Sequence, residues 1–116
     1  MGVAISVRLV TIKKDRDFKK AYSRGKSYVS SCVVLYVNRN FKKGTRIGIT
    51  ASKKIGNAVR RNRARRVIRQ AYLSLVNNKS FGNLDFVFVA RARTPDVKSY
   101  DVKKCIASLF NSMRLG

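Results

Sequence analysis

Arginine is concentrated in one short stretch of the chain, where its charge and planar shape suit phosphate binding. Six arginines fall within the ten positions from Arg60 to Arg69, and no acidic residue stands near them in the sequence. Arginine binds phosphate through two parallel hydrogen bonds, whereas lysine acts as a point charge. Like charges three or four residues apart on a helix cost about 0.2–0.5 kcal/mol per pair. The stretch therefore predicts a surface that meets a phosphate backbone rather than an ordinary solvated face.

The same charge bias extends over the whole chain. Its 116 residues include 27 lysines and arginines against five acids, for a formal net charge of +22. No carboxylate occurs between Asp17 and Asp85, an interval that holds 17 of the basic residues. Self-repulsion of this size opposes folding unless a polyanion relieves it. A hydrophobic content of 45% still favours a folded chain. We therefore expect one domain over residues 1–116 that binds a polyanion, with nucleic acid as the first candidate and an anionic membrane surface as the weaker one.

Residues that would let the protein cut its own substrate are scarce. The sequence contains no histidine and no glutamate, so the usual general acid–base groups are missing. The aspartates have structural explanations, at predicted helix starts or in a strand, and lie at Asp15, Asp17, Asp85, Asp96 and Asp101. Cys32 and Cys105 are predicted to be buried thiols of a protein in a reducing compartment. The sequence leaves open a disulfide between them. We expect no catalytic residue, metal site or cofactor in the protein alone.

Hydrophobic periodicity places this chemistry on a small α+β domain. The pattern predicts a helix at 15–24, a strand region at 27–38 that can include a hairpin, a strand at 46–52, a helix at 57–76, a strand at 84–91 and a helix at 99–114. Because a strand, a long helix and a second strand usually join parallel neighbours, we expect a small four-stranded mixed sheet packed with three helices in the order αβββαβα. Residues 1–13 are expected to form a loosely ordered arm.

The long helix is expected to be two-sided. Its apolar residues gather on one arc and most of its arginines on the opposite arc. Asn57 is a plausible N-cap, and the unpaired backbone amides behind it favour phosphate. Lys53 and Lys54 stand directly before this helix start.

Three aromatic side chains have two possible roles. Phe18 and Tyr22 on the first helix and Tyr36 on a strand can stack on unpaired nucleotides or belong to the core. Spacing alone slightly favours the core. The strand at 46–52 has a face of small residues that leaves room for something to lie against it, namely Gly48, Thr50 and Ser52.

The segment SKKIGNAVRRNRARRVIRQAY resembles the protein subunit of bacterial ribonuclease P. Its core is Arg61, Asn62 and Arg63, which follow a Lys-Lys-Ile-Gly turn at residues 53–56. The resemblance continues through KKDRDFKKAYSRGKS, VVLYV and VFVAR and covers roughly residues 8–113. It implies a ribonucleoprotein endonuclease that removes the 5′ leader of precursor tRNA, in which an RNA subunit performs the cleavage with Mg²⁺. It also implies a left-handed crossover around the long helix, against the usual right-handed rule.

The resemblance also assigns roles to individual residues. The residues expected to bind the catalytic RNA are Lys53, Lys54, Arg60, Arg61, Asn62, Arg63, Arg65, Arg66 and Arg69. Those expected to bind the single-stranded leader are Phe18, Tyr22, Tyr36, Thr50, Ser52 and Arg91. Tyr22 stands where phenylalanine is common in the family, and Arg60 and Arg65 make this helix more basic than many relatives.

Two other functions remain open on composition alone. A ribosomal or other structural RNA-binding protein is the first alternative, and a DNA-architectural protein is the second. The expected partners are the catalytic RNA and precursor tRNA, with no membrane and no small-molecule substrate. We expect a cytoplasmic location, since no apolar run approaches the roughly 20 residues that span a bilayer.

Overall fold

A four-stranded mixed sheet forms the centre of the computed structural model, which describes residues 10–41, 44–76 and 81–113. The predicted class and the order αβββαβα are confirmed, and the region 27–38 is a hairpin of two strands. Short 3₁₀ turns precede the second and third helices. The helices are α1 (Asp15–Arg24), α2 (Ala58–Val76) and α3 (Ser99–Ser112), and the strands are β1 (Lys26–Val29), β2 (Val33–Arg39), β3 (Arg46–Thr50) and β4 (Leu84–Ala90).

The strand order in the sheet is β1-β2-β4-β3. β4 is central, antiparallel to β2 and parallel to β3, so α2 is the crossover that the sequence predicts. Phe86, Val87 and Phe88 are fully buried, because β4 is covered on both faces. The left-handed sense of the crossover stays an expectation of the resemblance.

Side chains alternate across each strand, so the sheet has a different cluster on each face. The larger cluster contains Leu35, Phe86 and Phe88 from the sheet, packed under α2 and α3. The smaller one contains Ala21 of α1 and Val87 of β4, with Phe18 and Tyr36 packed against it. Among the described helices, α1 is therefore the one that lies on the face opposite α2 and α3.

The end of the N-terminal segment is paired with the sheet rather than loose. The Ile12 amide donates to the Ile47 carbonyl at 2.9 Å, and the Ile47 amide donates to the Val10 carbonyl at 2.9 Å. The Ile12 side chain is buried against α1. The predicted arm over residues 1–13 is therefore wrong for residues 10–12, because β3 offers them an open edge. Residues 1–9, and the predicted end of α3 at 114, lie outside the described residues.

Arg46 of β3 joins α1 to the sheet through a buried ion cluster. Its Nε and Nη2 donate to the two carboxylate oxygens of Asp85 at 2.8 and 2.6 Å, and Nη2 lies 3.5 Å from Asp17 Oδ2. These three side chains are at most 12% exposed. Hydrogen bonding to Asp85 raises the pKa of Arg46. Two of the five acids thus have a structural role that fixes the position of α1.

Candidate nucleic-acid interface

The start of α2 presents unpaired backbone amides beside two lysines. Asn57 caps it as predicted, since the Arg60 amide donates to Asn57 Oδ1 at 3.0 Å. Gly56 has a φ of 137°, and a Cβ there would lie 2.9 Å from Cδ of Arg60, so the turn requires glycine. Lys53 and Lys54 are exposed in the turn before it. This helix start can therefore receive an anion.

The first arginines of α2 lie against an acid that is distant from them in the sequence. Arg60 Nη1 and Nη2 donate to the two carboxylate oxygens of Asp96 at 3.2 and 2.9 Å. These hydrogen bonds lower the pKa of Asp96 and raise the pKa of Arg60. Arg63 Nε donates to the Pro95 carbonyl at 2.6 Å. The turn at residues 94–96 therefore orients two of the six arginines.

The remaining arginines of α2 differ in whether their guanidinium groups have hydrogen-bond partners among the described residues. Arg65 donates to Asn62 Oδ1 at 2.9 Å, which orders both side chains. Arg66 and Arg69 are exposed and have no hydrogen bond or ion pair within the described residues. Arg61 is partly buried, and its Nε–H is enclosed without a partner among the described residues. We call the set the arginine face: Lys53, Lys54, Arg60, Arg61, Asn62, Arg63, Arg65, Arg66 and Arg69.

Three of the predicted leader-binding residues come together on the opposite face of the sheet. The rings of Tyr22 and Tyr36 meet edge to face, with centroids 5.0 Å apart. The Tyr22 hydroxyl lies 3.4 Å from Thr50 Oγ1. Tyr22 is 41% exposed, so its ring has a surface open to a ligand.

Phe18 has a different position, in the packing between α1 and the sheet. A Cβ at residue 48 would lie 2.5 Å from the Phe18 ring, so the ring lies directly on Gly48. The small residues of β3 leave room above the strand, as predicted. At Gly48 this room is filled by the Phe18 side chain. Phe18 is partly buried and packs against the smaller cluster, which agrees with the core role, while its role in leader binding stays a prediction.

A row of valines that sequence reasoning missed forms the floor beside these aromatics. Val29 pairs with Val34, Val34 with Val89, and Val89 with Thr50. Cross-strand partners point to the same face, so this row lies two residues from Tyr36 along the sheet. Val34 and Val89 are only partly buried, and Val29 is 64% exposed. The sequence signal for this row was the alternation of side chains along each strand. The strand order β1-β2-β4-β3 places the four residues next to one another. We use the name cleft for the surface formed by Tyr22, Tyr36, Thr50, Val34 and Val89.

The last two predicted leader-binding residues lie outside the set of residues that forms the cleft. Ser52 is exposed two residues beyond Thr50. Arg91 is exposed at the end of β4, where its Nη1 donates to the Ser30 carbonyl at 3.0 Å. No hydrogen bond or ring contact joins either one to Tyr22 within the described chain.

The arginine face and the cleft side of the sheet meet at the edge of β3. A cavity of about 170 Å³ lies there, and its lining includes two arginines of α2 and Phe18 of α1. Its lining residues are Thr11, Ile12, Phe18, Ile47, Gly48, Ile49, Arg65 and Arg69. The two surfaces are therefore adjacent at this edge.

Metal and membrane sites were sought over the described ranges. No group of three or more histidine, cysteine or acidic side chains is placed to hold a metal ion. Asp17 and Asp85 already share Arg46, and Asp96 is held by Arg60. None of the helices in these ranges has the length and apolar character needed to cross a bilayer.

Three comparisons agree on the family to which this architecture is similar. The family described as Ribonuclease P matches residues 8–114. The ribonuclease P protein component of Clostridioides difficile is 41% identical over 98 residues, which cover 84% of this chain and 86% of that protein. The structure of the Staphylococcus aureus RNase P protein superposes with a TM-score of 0.78 at 28% identity, covering 93% of this chain and 98% of that one. The RNase P protein of Thermotoga maritima has the same fold, with a TM-score of 0.74 at 24% identity, covering 88% of this chain and 96% of that one.

Proposed function

The chain belongs to the ribonuclease P protein family, and from this premise we propose that the arginine face binds the catalytic RNA while the cleft holds the 5′ leader of precursor tRNA. As a member of this family, the chain is the protein component of ribonuclease P, acts in tRNA processing and has the ribonuclease P RNA as its partner.

The observation that carries the proposal is the placement of two chemically different surfaces on opposite faces of one sheet. The arginine face offers guanidinium groups and helix-start amides, which suit the phosphates of a large folded RNA. The cleft offers Tyr22 and Tyr36 with a floor of valines, which suits unpaired bases. A structured RNA and a single strand can therefore be bound at the same time.

The roles that we assign to the protein and the RNA depend on the catalytic groups present in the described part of the chain. Neither surface contains a free carboxylate pair or a histidine that could activate water. We assign cleavage to the RNA subunit, with this chain positioning the leader and neutralising phosphate charge. Within the described residues no three carboxylates converge on one point, and Asp17, Asp85 and Asp96 are bound to arginines, so we assign Mg²⁺ to the RNA and substrate.

Reconstitution tests this proposal. Single-turnover cleavage of a precursor tRNA is measured with the cognate catalytic RNA at limiting Mg²⁺, with and without the protein. We expect the protein alone to cleave nothing, and to increase both the rate and the affinity for precursor over mature tRNA. Cleavage by the protein alone, or no gain in the presence of the RNA, would overturn the proposal.

A further inference from the structure

The thiols of Cys32 and Cys105 are in direct contact although 73 positions separate them in the sequence. Their sulfur atoms lie 2.9 Å apart, and both cysteines are free. Cys32 lies directly before β2 and is buried, whereas Cys105 lies on α3 and is partly exposed. A disulfide has a sulfur–sulfur distance of about 2.05 Å. The pair is therefore a dithiol, held close enough for a bond to form with a small movement.

The surroundings of the two sulfurs differ in a way that separates their roles. Ser31 Oγ lies 3.7 Å from the sulfur of Cys32 and 3.8 Å from that of Cys105. Burial, and then the hydrogen bond with Cys105, raises the pKa of Cys32. Burial also opposes ionisation of Cys105, but its hydrogen bonds with Cys32, Ser31 and Ser30 outweigh burial and lower the pKa of that thiol. The more accessible sulfur is thus the better nucleophile.

We propose that Cys32 and Cys105 form a redox-active dithiol that small disulfides of the glutathione type oxidise to an intramolecular disulfide. The Cys105 thiolate attacks one sulfur of the small disulfide, forms a mixed disulfide and releases one small thiolate. That thiolate takes the proton of Cys32, whose sulfur attacks Sγ of Cys105 and releases the second small thiolate, which solvent protonates. The protein loses two hydrogen atoms, and the small disulfide is reduced to two thiols.

The position of the pair links it to the arginine face. The Cys32 carbonyl accepts a buried hydrogen bond of 2.6 Å from the Thr94 hydroxyl. Thr94 begins the turn in which Pro95 and Asp96 hold the first arginines of α2. A bond between Cys32 and Cys105 would therefore tie α3 to the segment that supports the start of the arginine face.

Thiol trapping of the full-length protein tests the proposal. The protein is equilibrated, in buffer and in concentrated urea, with mixtures of reduced and oxidised glutathione. Free thiols are then blocked with an alkylating agent, and the intact protein is analysed by mass spectrometry. We expect a monomer without alkylated cysteine, which reverts on addition of dithiothreitol. Because a disulfide that stabilises the fold must form more readily in the fold, its equilibrium constant should exceed that in urea by about a hundredfold.

Two variants keep the result interpretable. Cys105→Ser should yield no intramolecular product and leave Cys32 slow to alkylate, whereas Cys32→Ser should stop at the mixed disulfide on Cys105. If buried Cys32→Ser fails to fold, the comparison of the wild-type protein in buffer and in urea still decides. Equal equilibrium constants in the two conditions, a mixed disulfide that does not resolve in the wild type, or products linked only between chains would overturn the proposal.

Discussion

Arg60 holds Asp96 in a two-pronged ion pair, with hydrogen bonds of 3.2 and 2.9 Å, at the start of the helix that we assign to RNA binding. The carboxylate occupies the guanidinium edge that a phosphate would use. Asp96 therefore both orients Arg60 and competes with a ligand for it.

Replacing Asp96 with asparagine should strengthen binding of the catalytic RNA. Asp96→Asn removes the competing charge while keeping the side-chain size, so Arg60 can take a phosphate. We expect affinity at low salt to rise about two- to fivefold, as befits an exposed charge pair, and the salt dependence to become steeper. Filter binding over a salt series measures both. Asp101→Asn on α3 makes the same change in net charge, and an equal gain in that variant would show that Arg60 is not involved.

Arg66 and Arg63 should both contribute to RNA binding but differ in their effect on stability. Arg66 has no protein partner within the described residues, so Arg66→Ala should weaken assembly by roughly 1–3 kcal/mol and leave the thermal midpoint unchanged. Arg63→Ala should weaken assembly and also lower the midpoint, because its hydrogen bond to Pro95 is lost. Binding titrations and thermal unfolding separate the two effects. Arg24→Ala, at the end of α1, is the matched control, and a loss as large as that of Arg66→Ala would contradict a specific arginine face.

Tyr22 should discriminate precursor from mature tRNA. Tyr22→Ala removes a ring that is 41% exposed above the cleft. Since stacking of a base on an aromatic ring contributes about 1–3 kcal/mol, the preference of the holoenzyme for precursor should shrink by that amount, with mature tRNA bound as before. Tyr100→Ala, which removes a tyrosine that is 64% exposed on α3, is the control. An unchanged preference in Tyr22→Ala would refute the cleft assignment and leave the family membership intact.

The sequence predicted the elements well because each depends on neighbouring residues. The cap at Asn57, the two faces of α2 and the hairpin at 27–38 all follow from local spacing. The pairing of Arg60 with Asp96 could not be predicted in this way, because it joins residues 36 positions apart. Likewise, spacing placed Phe18 and Tyr22 on one side of α1, but the different surroundings of their rings depend on Gly48, which lies under the Phe18 ring. The valine floor of the cleft required the strand order, which local patterns do not contain.

The contact between Phe18 and Gly48 should be sensitive to a single methyl group. Gly48→Ala would place a Cβ 2.5 Å from the ring, and overpacking of this kind costs about 1–3 kcal/mol. We expect the free energy of unfolding, from urea titration, to fall by this amount. In the double variant with Phe18→Ala, the added methyl meets no ring, so the two losses should be less than additive. Strict additivity would mean that the ring does not lie on Gly48.

Tyr72 should make the protein sensitive to strong alkali. It is buried in the main core, 4% exposed, and burial raises the pKa of its phenol from 10.0 to about 12. The raised value means that the fold disfavours the phenolate. The stability that comes from this difference is therefore fully present below pH 10 and is lost as the pH rises through 12.

Tyr72→Phe keeps the ring contacts with Phe86 and Phe88 but cannot ionise. We expect similar urea stability for both proteins at pH 8, and an advantage of about 1–2 kcal/mol for Tyr72→Phe near pH 12. Tyr100→Phe serves as the surface control, because lysine titration over the same range affects all three proteins alike. A wild-type protein that declines no faster than Tyr72→Phe would mean that water reaches the Tyr72 hydroxyl in the folded state.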